Sequence, residues 1–227
     1  MIPSHIPNSA LERRELDFSG VKIIADQVED IEMLWNQLLS LGPEHPWVKD
    51  ERIPYWAEIW PASIALSQHI VSRSSFFKNK SVLEIGCGLG IPGIVAGKLG
   101  AQVTLTDYQQ DALDLAAHNW SLNLSEMPVC KQLDWRKPTG DLAADIILAS
   151  DVAYEKRAFE PLIQAFSTLL KPGGTVFLSE PGRDFAKDFF ARLSQQEYEI
   201  KEWNIPINWR TTLFKVRVWE LTRLKRN

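Results

Sequence analysis

The chain reads as an α/β protein: seven strands in a doubly wound, mostly parallel sheet that ends in an antiparallel hairpin, with helices on both faces. Three observations predict this. From Pro61 onward, short apolar runs of strand length alternate with stretches whose apolar residues recur at helical spacing. The last two alternating segments, residues 198–205 and 214–221, have no helical stretch between them, as in a hairpin. A glycine-rich stretch follows directly on the first strand of the alternating series, at the edge where such sheets take their ligands.

Taken in order, residues 1–60 are expected to be a helical and irregular extension packed on a domain of residues 61–227. Within it, residues 16–24 suit a short hairpin around Ser19-Gly20. Ile31, Leu34, Trp35 and Leu38 fall at i, i+3, i+4 and i+7, and Gly42-Pro43 stops that helix. Pro61 suits the first turn of a helix over residues 61–72, and a strand follows at residues 81–85. A helix opens near Ile91, where Pro92 fits the first turn and Gly93 and Gly97 admit close packing on the sheet. Residues 102–106 form a strand ending on Asp107. Residues 109–122 form a helix with the apolar stripe Leu113, Ala116, Ala117 and Trp120. Residues 129–133 and 145–149 are short and largely apolar, as buried parallel strands are. Phe159, Leu162, Ile163, Phe166, Leu169 and Leu170 mark another helix, closed by Lys171-Pro172-Gly173-Gly174. A strand at 175–179 and a helix at 184–195 complete the series before the final hairpin.

Composition narrows the function. The 227 residues are 45% hydrophobic and 24% charged, ordinary for a globular chain. A net charge of −4 gives no electrostatic reason to expect nucleic acid as a partner. Arg223-Leu224-Lys225-Arg226 reads as a solvated basic tail. Two cysteines, Cys87 and Cys130, imply no disulfide framework and fit a reducing cytoplasm. Neither a secretory signal nor an apolar run of ~18 residues occurs, so a cytoplasmic protein with no membrane partner is expected, and a monomer is favoured. His5, His45, His69 and His118 have no metal-ligand spacing, and no metal is expected. Cys87 reads as a small packing residue, since no Cys–His–Asp arrangement accompanies it. His118 and Asn119 fall on a helix flank, and nine tryptophans raise the chance of an aromatic-walled pocket.

The chemistry concentrates at strand ends. Glu84, Asp107, Asp134 and Asp151 all stand at or just beyond a strand's carboxyl end. The stretch Glu84-Ile85-Gly86-Cys87-Gly88-Leu89-Gly90 lets the backbone turn tightly and approach a ligand. A literal G-x-G-x-x-G also occurs from Gly88 to Gly93, but the first glycine after the strand is Gly86, with an acid just ahead of it. Glu84 is expected to repel a pyrophosphate and attract the ammonium and sulfonium of S-adenosylmethionine, while Asp107 is placed to accept ribose hydroxyls.

This pattern, Glu84-x-Gly86-x-Gly88-x-Gly90 followed by Asp107, resembles the first two motifs of the class I, seven-strand, Rossmann-like S-adenosylmethionine-dependent methyltransferases. The resemblance runs from about Trp56 to the C-terminus. It implies the strand order 3-2-1-4-5-7-6, with Asp134 or Trp135 facing the adenine, and extends the expected cofactor contacts to Trp60, Cys87, Tyr108 and Ser150. Ser150-Asp151-Val152-Ala153-Tyr154 departs from the Asn-Pro-Pro-Tyr of amino-methylating enzymes acting on adenine or glutamine. Its Asp-x-x-Tyr instead resembles the protein-lysine methyltransferases. Residues 54–61 (Pro-Tyr-Trp-Ala-Glu-Ile-Trp-Pro) and Glu180-Pro181-Gly182-Arg183 are similar to the electron-transfer-flavoprotein β-subunit lysine methyltransferases. The resemblance implies a protein substrate presenting a lysine. Asp151 would hold the amine, Tyr154 would wall the lysine channel, and Trp56 or Trp60 would face the sulfonium or the lysine. A small-amine methyltransferase and a catalytically silent binding module are the competing readings. Arg183 is left between an acidic substrate and a helix terminus.

Overall fold

The computed structural model describes residues 2–183, 186–194, 196 and 198–224, without the side chains of 186 and 187. The N-terminal part is more ordered than expected. Strands β1 (Leu11–Phe18) and β2 (Val21–Val28) pair antiparallel along their whole length, Leu11 opposite Val28 and Phe18 opposite Val21. Ser19 and Gly20, both at positive φ, make the two-residue turn whose twist matches paired strands. The hairpin outruns the expected residues 16–24 because β1 alternates charges with half-buried residues, leaving only a faint apolar signal. Helix α1 (Ile31–Ser40) is capped by Asp30, whose carboxylate accepts from the Glu32 N–H at 2.9 Å, and buries only Leu34. A four-residue α2 (Pro46–Lys49) leads to an irregular segment over residues 50–60.

The regular part follows the expected order closely. Helix α3 (Pro61–Ser72) and a short α4 (Ser74–Phe77) precede β3 (Ser81–Ile85). Then come α5 (Ile91–Lys98), β4 (Gln102–Asp107), α6 (Gln110–Ser121), β5 (Val129–Gln132) and β6 (Ala144–Ser150). Helix α7 (Phe159–Leu169), β7 (Leu170–Glu180), α8 (Ala186–Leu193), β8 (Tyr198–Trp209) and β9 (Thr212–Arg223) end the series. Of the helix expected at 184–195, residues 184, 185 and 195 lie outside the described residues, as do Lys225 and Arg226 of the basic tail. Arg223 belongs to β9 and donates to the carbonyls of Ser167 and Leu170, both at 2.9 Å, so it is not tail.

The seven strands lie in the order β5-β4-β3-β6-β7-β9-β8, which is 3-2-1-4-5-7-6 when β3 is counted first. β3 to β7 run parallel, and β9 pairs antiparallel with both β7 and β8. β5 is the exception to the expected burial: as an edge strand it leaves Val129, Lys131 and Gln132 exposed. One apolar cluster joins α3, α5 and α6 to the sheet and takes in Phe18, Ile23, Ala25 and Val28 of the hairpin. A second joins α7 and α8 to β3, β6 and β7. The chain therefore changes sides between β4 and β6, and a crevice opens at the carboxyl end of β3 between them.

Candidate active site

Burial on both faces of β3 brings the glycine-rich loop up against the crevice. Gly86, Gly88 and Gly90 all have positive φ. A Cβ at Gly86 would lie 2.9 Å from the Trp135 ring, and one at Gly88 3.3 Å from the Trp56 carbonyl oxygen, so both positions need glycine for space as well as torsion. The loop borders a cavity of about 680 Å³, within the roughly 300–1,000 Å³ usual for small-molecule sites.

Most residues expected at the site meet there. Trp60, Gly86, Cys87, Gly88, Asp107, Tyr108, Asp134, Trp135, Ser150, Asp151 and Tyr154 line the cavity. Asp107, at the end of β4, accepts from the Gly88 N–H at 3.1 Å through one oxygen and from the Gln109 N–H at 3.0 Å through the other. Burial nonetheless raises its carboxyl above the usual carboxylate range. Tyr108 sits beside two guanidiniums, Arg52 at 4.4 Å and Arg136 at 4.8 Å from its ring centre. Asp134 accepts from the Arg136 backbone N–H at 3.0 Å and its Nε at 2.8 Å. Burial works against this carboxyl, yet the Arg136 bonds hold it below its ordinary range. Trp135 packs over Gly86 and does not merely cover a sheet edge. Burial pushes the Cys87 thiol well up, in keeping with a packing residue.

Two expected residues lie elsewhere. Gly90 is the left-handed residue ahead of α5, packed against Ala116 and Leu105. Glu84 is 1% exposed and lies outside the cavity lining; its carboxyl accepts from the Gly93 N–H at 3.0 Å, beneath the loop. Burial pushes that carboxyl up to about 8. The expected attraction of cations therefore does not follow from its position: an enclosed acid that keeps its proton at neutral pH braces the loop and presents no charge to a ligand.

Asp50, Glu51, Arg52 and Ile53, which no sequence signal singles out, line the same cavity. Arg52 donates to the Tyr108 hydroxyl at 2.8 Å, Asp50 accepts from Arg136 at 3.0 Å, and Glu51 pairs with Arg157. No local periodicity marks residues 50–53; contacts more than fifty residues away in sequence join them to the cavity. Around the opening, Tyr55 stands edge-on to both Trp60 and Tyr154, at 5.8 and 5.9 Å between centroids. Asp151 accepts from both terminal nitrogens of Arg183, at 3.1 Å for Nη2.

A family model described as lysine methyltransferase matches residues 50–196, which holds the glycine loop, Asp107, Asp151 and Tyr154. The chain belongs to the lysine methyltransferase family. The methyltransferase is 30% identical to the human histone-arginine methyltransferase METTL23 over 66% of this chain and 82% of that protein. It is 33% identical to the protein N-lysine methyltransferase METTL21A of Xenopus tropicalis over 54% of this chain, spanning 59% of that protein's length. It is 31% identical to the mouse EEF1A lysine methyltransferase 3, over 66% of this chain and 67% of the relative. In fold it is similar to the Synechocystis magnesium protoporphyrin IX methyltransferase with bound S-adenosylmethionine, at a TM-score of 0.57 and 16% identity over 86% of this chain and 92% of the other.

The cofactor of this enzyme is S-adenosylmethionine, and the cavity suits it. Each Asp107 oxygen keeps a lone pair beyond its backbone bond for a ribose hydroxyl. The rings of Tyr108 and Trp135 line the cavity, and the loop has no side chain at Gly86 or Gly88 to fill the space. Among the described residues no His/Cys/Asp/Glu group suits a metal, and no helix is long and apolar enough to cross a membrane.

Proposed function

We propose that this methyltransferase acts on a lysine side-chain amine of another protein. One arrangement carries the reading: Asp151 and Tyr154 border the same cavity as Gly86, Gly88 and Asp107. S-adenosylmethionine supplies an electrophilic methyl on sulfur; the protein has to align the amine, exclude water and handle a proton. Asp107 takes the ribose, Asp134, Trp135 and Tyr108 border the base, and the loop from Gly86 to Leu89 receives the rest, held from below by Glu84. Ser150 and Trp60 border the reacting end. The rings of Tyr55, Trp60 and Tyr154 wall the entry for the lysine side chain. Burial pushes the Tyr154 phenol up to about 12, so it stays a hydrogen-bond donor at neutral pH. Asp151 accepts a hydrogen bond from the amine and holds it on line with the methyl group. Residues 1–60 serve as an extension completing the mouth of a domain at 61–227. We read the enzyme as cytoplasmic and monomeric, with both cysteines as free thiols.

The electron transfer flavoprotein β subunit is the first acceptor to test, on the resemblance of residues 54–61 and 180–183. A second reading, methylation of arginine, draws support from the similarity to METTL23. One experiment separates the readings. Lysate is labelled with radioactive S-adenosylmethionine and the enzyme, and the labelled band is hydrolysed to amino acids. Label in methyl-lysine is the expected result. Label in methyl-arginine favours the second reading, and label confined to small molecules overturns both.

A further inference from the structure

We propose that Arg183 is a positioning residue: anchored by Glu180, it clamps the Asp151 carboxylate in the orientation that meets the acceptor amine. The inference deepens the reading of Asp151 above and rests on it. Asp151 has φ 54°, in the left-handed region, and its backbone N–H is fixed by the Ser179 carbonyl at 2.8 Å. That pins its backbone at the end of β6 but leaves the side-chain torsions free. Arg183 removes this freedom, because its planar fork engages both carboxylate oxygens at once.

Arg183 is held in turn. Glu180, 1% exposed at the end of β7, accepts from the Gly182 N–H at 2.7 Å and the Arg183 N–H at 2.8 Å. Its other oxygen accepts from Arg217 Nε at 2.5 Å, and Arg217 lies 5.1 Å from the Trp219 ring centre on β9. Gly182, at φ 87°, makes the tight turn; a Cβ there would lie 3.2 Å from the Lys215 carbonyl oxygen. A rigid series of contacts thus runs from the antiparallel hairpin through Glu180 and Arg183 to Asp151. Each carboxylate oxygen keeps a lone pair beyond its Arg183 bond, so the clamp fixes Asp151 and still leaves it able to accept from an amine. In the transfer, the amine lone pair forms the N–C bond as the C–S bond breaks onto sulfur, and water takes the proton of the resulting ammonium. Asp151 orients the nucleophile throughout.

The test is a double-mutant cycle in the full-length enzyme, read as kcat and KM on the labelled acceptor alongside the Kd for S-adenosylmethionine. R183M is expected to lower kcat about 10- to 100-fold with cofactor Kd within about twofold, and R183K to recover part of the loss. D151N lowers kcat as well, and the R183M/D151N double variant loses little more than D151N alone, because Arg183 acts through Asp151. E180Q gives a smaller loss of the same kind. Multiplicative losses in the double variant, or an R183M effect confined to cofactor Kd, overturn the clamp while leaving the acceptor reading intact. A wild type that binds cofactor and labels no protein overturns both.

Discussion

Glu84 and Gly86 stand two residues apart and act on the loop in different ways. The folded chain keeps a proton on Glu84 through a pH range in which the unfolded chain has lost it, since burial pushes its carboxyl up to about 8. Stability therefore falls as pH rises from the ordinary glutamate range toward 8, by up to ~1.4 kcal/mol per pH unit. Glu84→Gln keeps an acceptor for the Gly93 N–H and removes the titration. Denaturant unfolding at pH 5 and pH 8 should show a flatter pH dependence than wild type, with the gain greatest at pH 8. Gly86→Ala acts on binding: φ of 61° and the Trp135 ring at 2.9 Å both oppose a Cβ. A rise of about tenfold or more in the cofactor Kd is expected by calorimetry, since 1.4 kcal/mol of strain in the loop suffices. Both residues stand out in the sequence, Gly86 for the turn and Glu84 for its charge. Its position in the strand could be read from the sequence; which way its carboxyl turns depends on Gly93, nine residues on, coming within hydrogen-bond reach.

At the scale of elements, α6 ties the N-terminal hairpin to the cofactor loop. Asn119, fully buried, accepts from the Asp26 N–H at 2.8 Å and donates to the carbonyls of Asp26 at 3.1 Å and Leu89 at 3.2 Å. Asn119→Ala leaves buried polar groups unpaired on both elements, and a loss of about 2–3 kcal/mol in urea unfolding is expected, with weaker cofactor binding because Leu89 follows Gly88. His118, beside it, meets Asp26 at 2.8 Å, and Arg13 completes the group at 2.8 Å. From sequence both residues read as flank positions, since a helix's own period says nothing of a strand ninety residues earlier. The central strands were legible because burial on both faces leaves short, largely apolar runs, as at Ser81–Ile85 and Ala144–Ser150. β1 was only partly legible, since charges fill its outward positions, and β5 misled, since apolar residues at an edge imitate a buried strand.

Over the whole molecule, the extension and the sheet share one interior. Phe18, Ile23, Ala25 and Val28 belong to the same apolar cluster as α3, α5 and α6. Calorimetry should accordingly give a single unfolding transition for the full chain. Removing residues 2–28 should lower the midpoint by about 10 °C or more or prevent folding, because several fully buried apolar side chains are lost together. Two well-separated transitions, with the second unchanged by the deletion, would contradict a shared core.

Gly93 carries a consequence for how such a chain can change over time. A Cβ placed there would sit 2.4 Å from the Glu84 carboxyl group and 2.5 Å from a Leu105 methyl. An alanine at 93 is thus admissible only once the side chains at both 84 and 105 have shifted or given up volume, and a shorter acid at 84 forfeits its hold on the loop unless position 93 moves toward it. The three positions constrain one another through packing. The spelling from Gly88 to Gly93 that imitates a dinucleotide fingerprint records a packing agreement between helix and sheet, and drift can rewrite it only through paired steps.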